Sequence, residues 1–133
     1  GLIEPHSAHM LRRFGDPEGP DAVYATDRLR EFIATGRAAG RPVGLVLFPR
    51  VGPDLARGAY EYGYLHDRVL EVCRQEGIGC LDLRAAFAAH ADYKRLWATP
   101  LDGHPSALAN RLAAEQLMAA FGPAWLGVGR RAP

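Results

Sequence analysis

The chain has 133 residues and a mass of 14.5 kDa, the size of one ordinary domain. Its formal net charge of +1 comes from 16 basic and 15 acidic residues, so it lacks the basic patch that nucleic acid or an anionic membrane requires. The longest apolar run, Val43 to Phe48, is far shorter than the roughly 18 to 20 residues of a bilayer span. With 48% hydrophobic residues, the composition predicts a soluble globular protein without nucleic-acid or membrane partners.

The segment near Gly1 has no basic region followed by an apolar one, so we expect no signal peptide, and the compartment stays open. Cys73 and Cys80 are spaced neither like zinc ligands nor like the cysteines of a disulfide scaffold. Free cysteine is often buried, so we expect two buried thiols.

Proline and glycine are frequent in residues 1–20, which predicts an irregular lead-in. An amphipathic helix follows from Asp21 to Gly40, because its apolar residues recur at spacings of three and four. The apolar run at 43–48, bounded by prolines, predicts a strand covered on both faces, which is typical of a parallel sheet. The loop at 49–58 then lies at the carboxyl end of that strand, where open α/β sheets place their sites.

The second half of the chain continues the same alternation. We expect a helix over 59–76 capped by Gly77, a strand over 78–83, a short helical piece over 84–90 and a loop over 91–105. A last helix begins after Ser106 as its N-cap and ends at Gly122 and Pro123. A tail over 124–133 completes the chain.

The order helix, strand, helix, strand, helix predicts right-handed crossovers in a parallel sheet. Two strands are too few for an independent sheet, which generally needs three or more. We therefore expect residues 21–123 to form the C-terminal part of an α/β domain. Its first strands would lie outside this sequence or come from a partner chain.

The segment PLDGHPSALAN, residues 100–110, places Asp102 two positions before His104 at the start of the last helix. An imidazole is the natural general base near neutral pH, and a carboxylate on its other nitrogen fixes the tautomer and stabilises the imidazolium. A tight turn at Gly103 lets the carboxylate fold back to that nitrogen. The pair predicts an acid–base centre; alternatively, Asp102 only caps a turn and His104 is a loop residue.

The longer segment LDGHPSALANRLAAEQL, preceded by a strand, resembles the last motif block of the SGNH or GDSL-type hydrolases. The resemblance extends less specifically over residues 21–121, where VGLVLFPR is similar to the penultimate strand and GIGCLDLRAAFA to the last strand. It implies a flavodoxin-like three-layer parallel sheet, of which this chain holds the C-terminal half. It also implies Asp102 as the orienting acid and His104 as the general base of a Ser-His-Asp triad. In that family the aspartate often stands three positions before the histidine, and here it stands two before.

The family's serine and oxyanion blocks are absent from the sequence. Its only serines are Ser7, which follows no strand and no glycine, and Ser106, which is a helix cap. Asn110 lies within the last helix, where it is poorly placed for an oxyanion. Loss of the nucleophile costs a triad enzyme on the order of 10⁴ to 10⁶ in rate. We therefore expect the nucleophile upstream of residue 1, and an isolated chain that is inactive.

The leading hypothesis is thus the Asp/His-bearing part of a serine ester hydrolase or O-acyltransferase. It would act on an ester-bearing small molecule or carbohydrate through an acyl-serine, without metal or cofactor. One alternative is a non-catalytic flavodoxin-like binding module. Another is metal-assisted hydrolysis, with Asp102, His104 and one of His6 or His9 as ligands.

Aromatic residues near these motifs are candidates for substrate contacts. Trp97, in the loop before Asp102, is placed to wall a substrate site. Tyr60, Tyr62 and Tyr64 could line an acyl or sugar pocket, although core packing is the simpler interpretation. Asp82, at the end of a predicted strand, could orient a loop near the site.

Overall fold

The computed structural model describes residues 5–90 and 92–125. Its helices are α1 (His6–Phe14), α2 (Pro20–Ala38), α3 (Pro53–Ala56), α4 (Gly63–Glu76), α5 (Arg84–Ala88) and α6 (Ala107–Trp125), with a 3-10 helix at Tyr93–Leu96. Its strands are β1 (Gly44–Leu47), β2 (Gly79–Asp82), β3 (Trp97–Thr99) and β4 (Asp102–Pro105). Over these described ranges, no helix combines the length and apolar character needed to cross a membrane.

The chain divides into two compact units. The helical unit is the described part of Gly1–Val43 together with Glu61–Ile78, and it contains α1, α2 and α4. The mixed unit is the described part of Gly44–Tyr60 together with Gly79–Pro133, and it contains the remaining elements. The predicted division at residues 20 and 123 stays a prediction, and residues 126–133 of the tail lie outside the described residues.

The helical unit is held by hydrogen bonds at the ends of its helices. The guanidinium of Arg68 on α4 donates hydrogen bonds to the carbonyl oxygens of Phe14 and Gly15, which satisfy the C-terminal end of α1. Gly77 ends α4 in the left-handed conformation at a φ of 64°, so the predicted cap is confirmed. Helix α1 occupies residues predicted as an irregular lead-in, because Pro5 and Gly15 flank a short helix here rather than preventing one.

The parallel pair β1 and β2 forms the sheet of the mixed unit. It runs in the register Gly44↔Gly79 through Leu47↔Asp82, as the two apolar segments predicted. Both first residues are glycines because aromatic rings from α6 occupy the space that a Cβ would need. A Cβ on Gly79 would lie 2.6 Å from the Phe121 ring, and one on Gly44 would lie 2.8 Å from Trp125.

The predicted flavodoxin-like three-layer parallel sheet is wrong. The described residues are mostly helical and contain two sheets of two strands each, β1 with β2 and β3 with β4. The physical reason is that a three-layer parallel sheet needs more apolar strands than β1 and β2, and the other described residues supply none that joins them. Residues 92–105, which belong to the predicted loop at 91–105, hold the second sheet instead. Their segments β3 and β4 pair antiparallel as a hairpin, which adds no strand to the parallel pair.

Two further expectations are corrected. Helix α6 continues through Gly122 and Pro123 to Trp125, because Trp125 stacks on Phe121 one turn earlier with ring centroids 5.0 Å apart. Neither cysteine is a free thiol: Cys73 and Cys80 are both disulfide-bonded, which a spacing along the chain could not reveal.

The core of the mixed unit lies between α5, α6 and the segment that precedes the hairpin. Its most enclosed side chains are Leu83, Phe87 and Leu96, each no more than 1% exposed, with Ala109 of α6 packed among them. The first loop after β1 contributes Val51 to the same cluster. This core therefore supports both the loop after β1 and the base of the hairpin.

Candidate functional site

The hairpin carries Asp102 and His104 on its second strand, β4, rather than in a loop. Only one residue separates Trp97 from Thr99 on β3, whereas two separate their partners Asp102 and Pro105 on β4. The extra residue makes β4 irregular at Gly103 and His104. Bulges of this kind redirect side chains and are frequent beside active sites.

Asp102 and His104 contact each other as the sequence predicted. Oδ1 of Asp102 accepts a hydrogen bond from the backbone N–H of His104 at 3.0 Å, which closes a short Asx turn over Gly103. The same oxygen lies 2.5 Å from Nδ1 of His104. A carboxylate only accepts hydrogen bonds, so in the neutral form of the ring this contact places the proton on Nδ1 and leaves the lone pair of a general base on Nε2.

The electrostatics favour an ionised Asp102. The backbone N–H of His104, and next its ring, hold the pKa of the Asp102 carboxyl below its ordinary value. Both side chains remain open to solvent, at 48% exposure for Asp102 and 86% for His104. The pair is therefore orientated but not enclosed.

This arrangement predicts a pH dependence of the hairpin. Hydrogen bonds that favour the carboxylate stabilise β4 fully above the ordinary pKa of Asp, about 3.9, and are lost as the pH falls through the lowered value. We expect the carboxyl-carbon signal of Asp102 in an NMR titration to have its midpoint below 3.9. In His104→Ala the midpoint should rise only part of the way, because the backbone N–H remains. A midpoint at or above the ordinary value in the unmodified chain would contradict the geometry.

Trp97 lies beside the pair in a fixed orientation. Its indole Nε1 donates a hydrogen bond of 2.9 Å to the carbonyl oxygen of Val51, and the ring of Tyr93 meets it edge-on at 5.5 Å. The ring lies 3.7 Å from the position of a Cβ on Gly103. The indole therefore links the loop after β1 to the hairpin and forms a rigid wall.

The loop after β1 and the hairpin together enclose an open cleft of about 540 Å³. Its lining combines both predicted site residues with apolar side chains and one guanidinium, and consists of Phe48, Pro49, Arg50, Val51, Trp97, Leu101, Asp102, Gly103, His104 and Pro105. The expectation that the loop at the carboxyl end of this strand lines a site agrees with this position. The predicted site residues did not include Phe48, Arg50 or Leu101, which also line the cleft. The predicted loop at 49–58 was an available signal for Arg50, whereas Phe48 was predicted as the last residue of a buried strand.

Arg50 is positioned from two sides. Its backbone N–H donates to the hydroxyl of Tyr60 at 2.8 Å, and its Nη2 donates to Oδ2 of Asp54 at 3.1 Å. Tyr60 itself packs against the core of the mixed unit and does not line the cleft. It therefore acts on the site through the loop, in keeping with the packing interpretation.

The remaining candidates lie elsewhere. Asp82 accepts hydrogen bonds from the backbone and side chain of Arg84 and so orients the start of α5. Tyr62 and Tyr64 belong to the helical unit, as do His6 and His9 of α1.

Neither serine is a nucleophile within the mixed unit's cleft. Ser106 Oγ donates to the carbonyl oxygen of Arg95 at 2.8 Å and accepts from the N–H of Ala109 at 3.2 Å, which confirms the predicted N-cap of α6. Ser7 lies on α1 of the helical unit. The described residues that line the cleft include no Ser, Thr or Cys.

The metal-assisted alternative requires at least three ligand side chains placed around one ion. Across residues 5–90 and 92–125, no group of three or more His, Cys, Asp and Glu side chains is placed to hold a metal ion. The metal-assisted alternative, with His6 or His9 joining Asp102 and His104, receives no support from these residues.

Comparison with known proteins gives no relative: no family model, curated protein or solved structure matches the chain. The resemblance of the segment around Asp102 and His104 to the SGNH hydrolases therefore stays a prediction from the motif.

Proposed function

We propose that the chain supplies the acid–base half of a serine-type ester hydrolase or O-acyltransferase. His104 acts as the general base through Nε2, and Asp102 holds the ring and stabilises the imidazolium. The observation that supports this role is the contact of 2.5 Å between Asp102 Oδ1 and His104 Nδ1 at the mouth of an open cleft. The serine comes from a polypeptide segment outside residues 1–133.

The reaction then follows the chemistry of an acyl-serine. His104 takes the proton of the serine hydroxyl as its oxygen attacks the ester carbonyl carbon, and the C–O bond to the alcohol breaks as His104 returns the proton to the leaving oxygen. Water, or an acceptor alcohol in a transferase, attacks the acyl-serine in the same way. Throughout, the carboxylate of Asp102 stays ionised, in keeping with its lowered pKa.

The competing function is a binding module in which Asp102 and His104 only shape the hairpin. The high exposure of both side chains suits catalysis as well as a structural role. A structural role, however, does not require that Nε2 of His104 be accessible as a proton acceptor. Turnover distinguishes the two functions. The test is hydrolysis of p-nitrophenyl esters by the longest natural polypeptide that contains these residues, compared with its His104→Ala variant.

A further inference from the structure

The hairpin that carries Asp102 and His104 buries little of its own surface. Every residue of β4 is exposed, and in β3 only Trp97 is partly buried. A two-stranded hairpin is at best marginally stable in water by itself. The position of the pair therefore depends on contacts that the hairpin makes with the rest of the mixed unit.

The backbone of the hairpin is tied at its base. β3 follows Leu96, which is fully buried in the core of the mixed unit. β4 ends before Ser106, whose backbone N–H donates to the carbonyl oxygen of Leu96 at 2.8 Å and whose hydroxyl donates to that of Arg95. These hydrogen bonds hold the ends of the strands, but they do not reach the turn over Gly103.

The side chain of Trp97 supplies the contact at that turn. Its Nε1 and Cε2 atoms lie 3.7 and 3.8 Å from the position that a Cβ on Gly103 would take, so the indole packs against the backbone between Asp102 and His104. The same Nε1 donates a hydrogen bond of 2.9 Å to the carbonyl oxygen of Val51. This hydrogen bond therefore fixes the ring to the loop after β1, and the ring supports the turn.

We propose that Trp97 is a positioning residue for the Asp102–His104 pair. With the indole held on Val51, the turn over Gly103 keeps Oδ1 of Asp102 on Nδ1 of His104 and leaves Nε2 as the proton acceptor. This role goes beyond that of a wall for a substrate. Its consequence for turnover rests on the proposed function, whereas its effect on the orientation of His104 does not.

The tautomer of His104 reports this positioning. At a pH where the imidazole is neutral, proton–nitrogen correlation spectra distinguish the ring nitrogen that carries hydrogen from the one that does not. In this chain we expect Nδ1 to carry the hydrogen, because the nitrogen that contacts the Asp102 carboxylate is the donor. The variant Asp102→Ala gives the reference spectrum of a ring without that contact.

The variant Trp97→Phe removes the indole N–H but keeps an aromatic ring beside Tyr93. We expect it to move the ring nitrogen signals of His104 most of the way to their values in Asp102→Ala. The matched control is Trp125→Phe, at the other tryptophan of the sequence, which does not line the cleft and should leave the His104 spectrum unchanged. An unchanged tautomer in Trp97→Phe, or equal shifts in both tryptophan variants, would overturn the inference.

Two measurements on the unmodified chain decide the matter if Trp97→Phe does not fold. Because the indole lies against Gly103, a nuclear Overhauser effect should connect the indole N–H of Trp97 with an α-hydrogen of Gly103. Exchange of that N–H with solvent should be slower than in free tryptophan, because the carbonyl oxygen of Val51 accepts it. The absence of either signal would contradict the positioning role.

Turnover separates this inference from the proposed function. In the natural polypeptide, Trp97→Phe should lower kcat for p-nitrophenyl esters by about 10- to 100-fold, since a displacement of about 1 Å at a site can cost about 10²-fold. If that polypeptide hydrolyses no ester but Trp97→Phe shifts the tautomer, the catalytic proposal fails and the positioning role stands. If hydrolysis requires His104 but the tautomer does not depend on Trp97, the positioning inference fails alone.

Discussion

Replacing His104 by Ala should lower ester turnover by the natural polypeptide by about 10⁴ to 10⁶, close to the effect of removing the nucleophile. Without the imidazole, nothing takes the serine proton as the oxygen attacks, so the covalent step loses its base. The expected loss is in kcat, because the substrate contacts of the cleft remain. A continuous assay with p-nitrophenyl esters gives both kcat and KM.

Asp102→Asn should reduce turnover as well, while leaving the imidazole of His104 in place. The amide no longer holds the ring in the required tautomer, so turnover should fall by about 10⁴ while the fold persists. The matched control is His90→Ala, since His90 is a partly exposed histidine of the same unit whose Nδ1 contacts the carbonyl oxygen of Asp92. Unchanged turnover in His104→Ala would contradict the role of His104 as the general base, whereas no ester turnover by the unmodified polypeptide would favour the binding-module alternative.

Replacing Phe87 by Ala should destabilise the mixed unit by about 3 to 5 kcal/mol. Phe87 is 1% exposed, and it packs within the cluster that includes Leu83 and Leu96. Truncation loses the apolar burial and leaves a cavity that the surrounding helices can fill only in part. Such a loss is a large fraction of the roughly 5 to 15 kcal/mol by which domains are stable.

Urea denaturation followed by circular dichroism measures this change. Phe32→Ala is the matched control, because Phe32 on α2 is 58% exposed and the same substitution there should change stability by no more than about 0.5 kcal/mol. Equal effects at the two positions would show that Phe87 is not part of a closed core. The edge-on contact of Phe87 with Phe48, at 6.0 Å, also predicts a disturbed cleft in the Phe87 variant.

The elements were predictable where the chain's own pattern decides them. The apolar run before Phe48 and the segment around Leu81 became the parallel pair, and Ser106 and Gly77 cap helices as expected. The hairpin was not predictable, because β4 consists of Asp, Gly, His and Pro, residue types with little preference for strands. Its pairing depends on the anchoring of the neighbouring Leu96 and Trp97 in the mixed unit.

The number of strands in the parallel sheet was overestimated for a related reason. Two short apolar segments predict a pair of parallel strands. They carry no information about how many further strands, if any, join that pair. The extension of α6 beyond Pro123 depends on the stacking of Trp125 and Phe121 over Gly44 and Gly79, which is a tertiary effect.

The candidate site was predictable in its polar part and not in its apolar part. A spacing of two residues across Gly103 was enough to predict the contact of Asp102 with His104. Leu101 and Phe48 carried no comparable signal, because an exposed apolar residue and a core residue look the same in a sequence. Their exposure became visible only when the hairpin and the loop after β1 were placed side by side.

The most direct test of the central claim is labelling with a fluorophosphonate probe, which reacts with an activated serine. The probe is applied to this chain, to the longest natural polypeptide that contains it, and to the His104→Ala variant of the latter. The proposal predicts a labelled serine outside residues 1–133 in the natural polypeptide, with loss of labelling in His104→Ala and no labelling of this chain alone. An unlabelled natural polypeptide, or labelling that persists without His104, would contradict the assignment of Asp102 and His104 as the acid–base pair of an ester hydrolase.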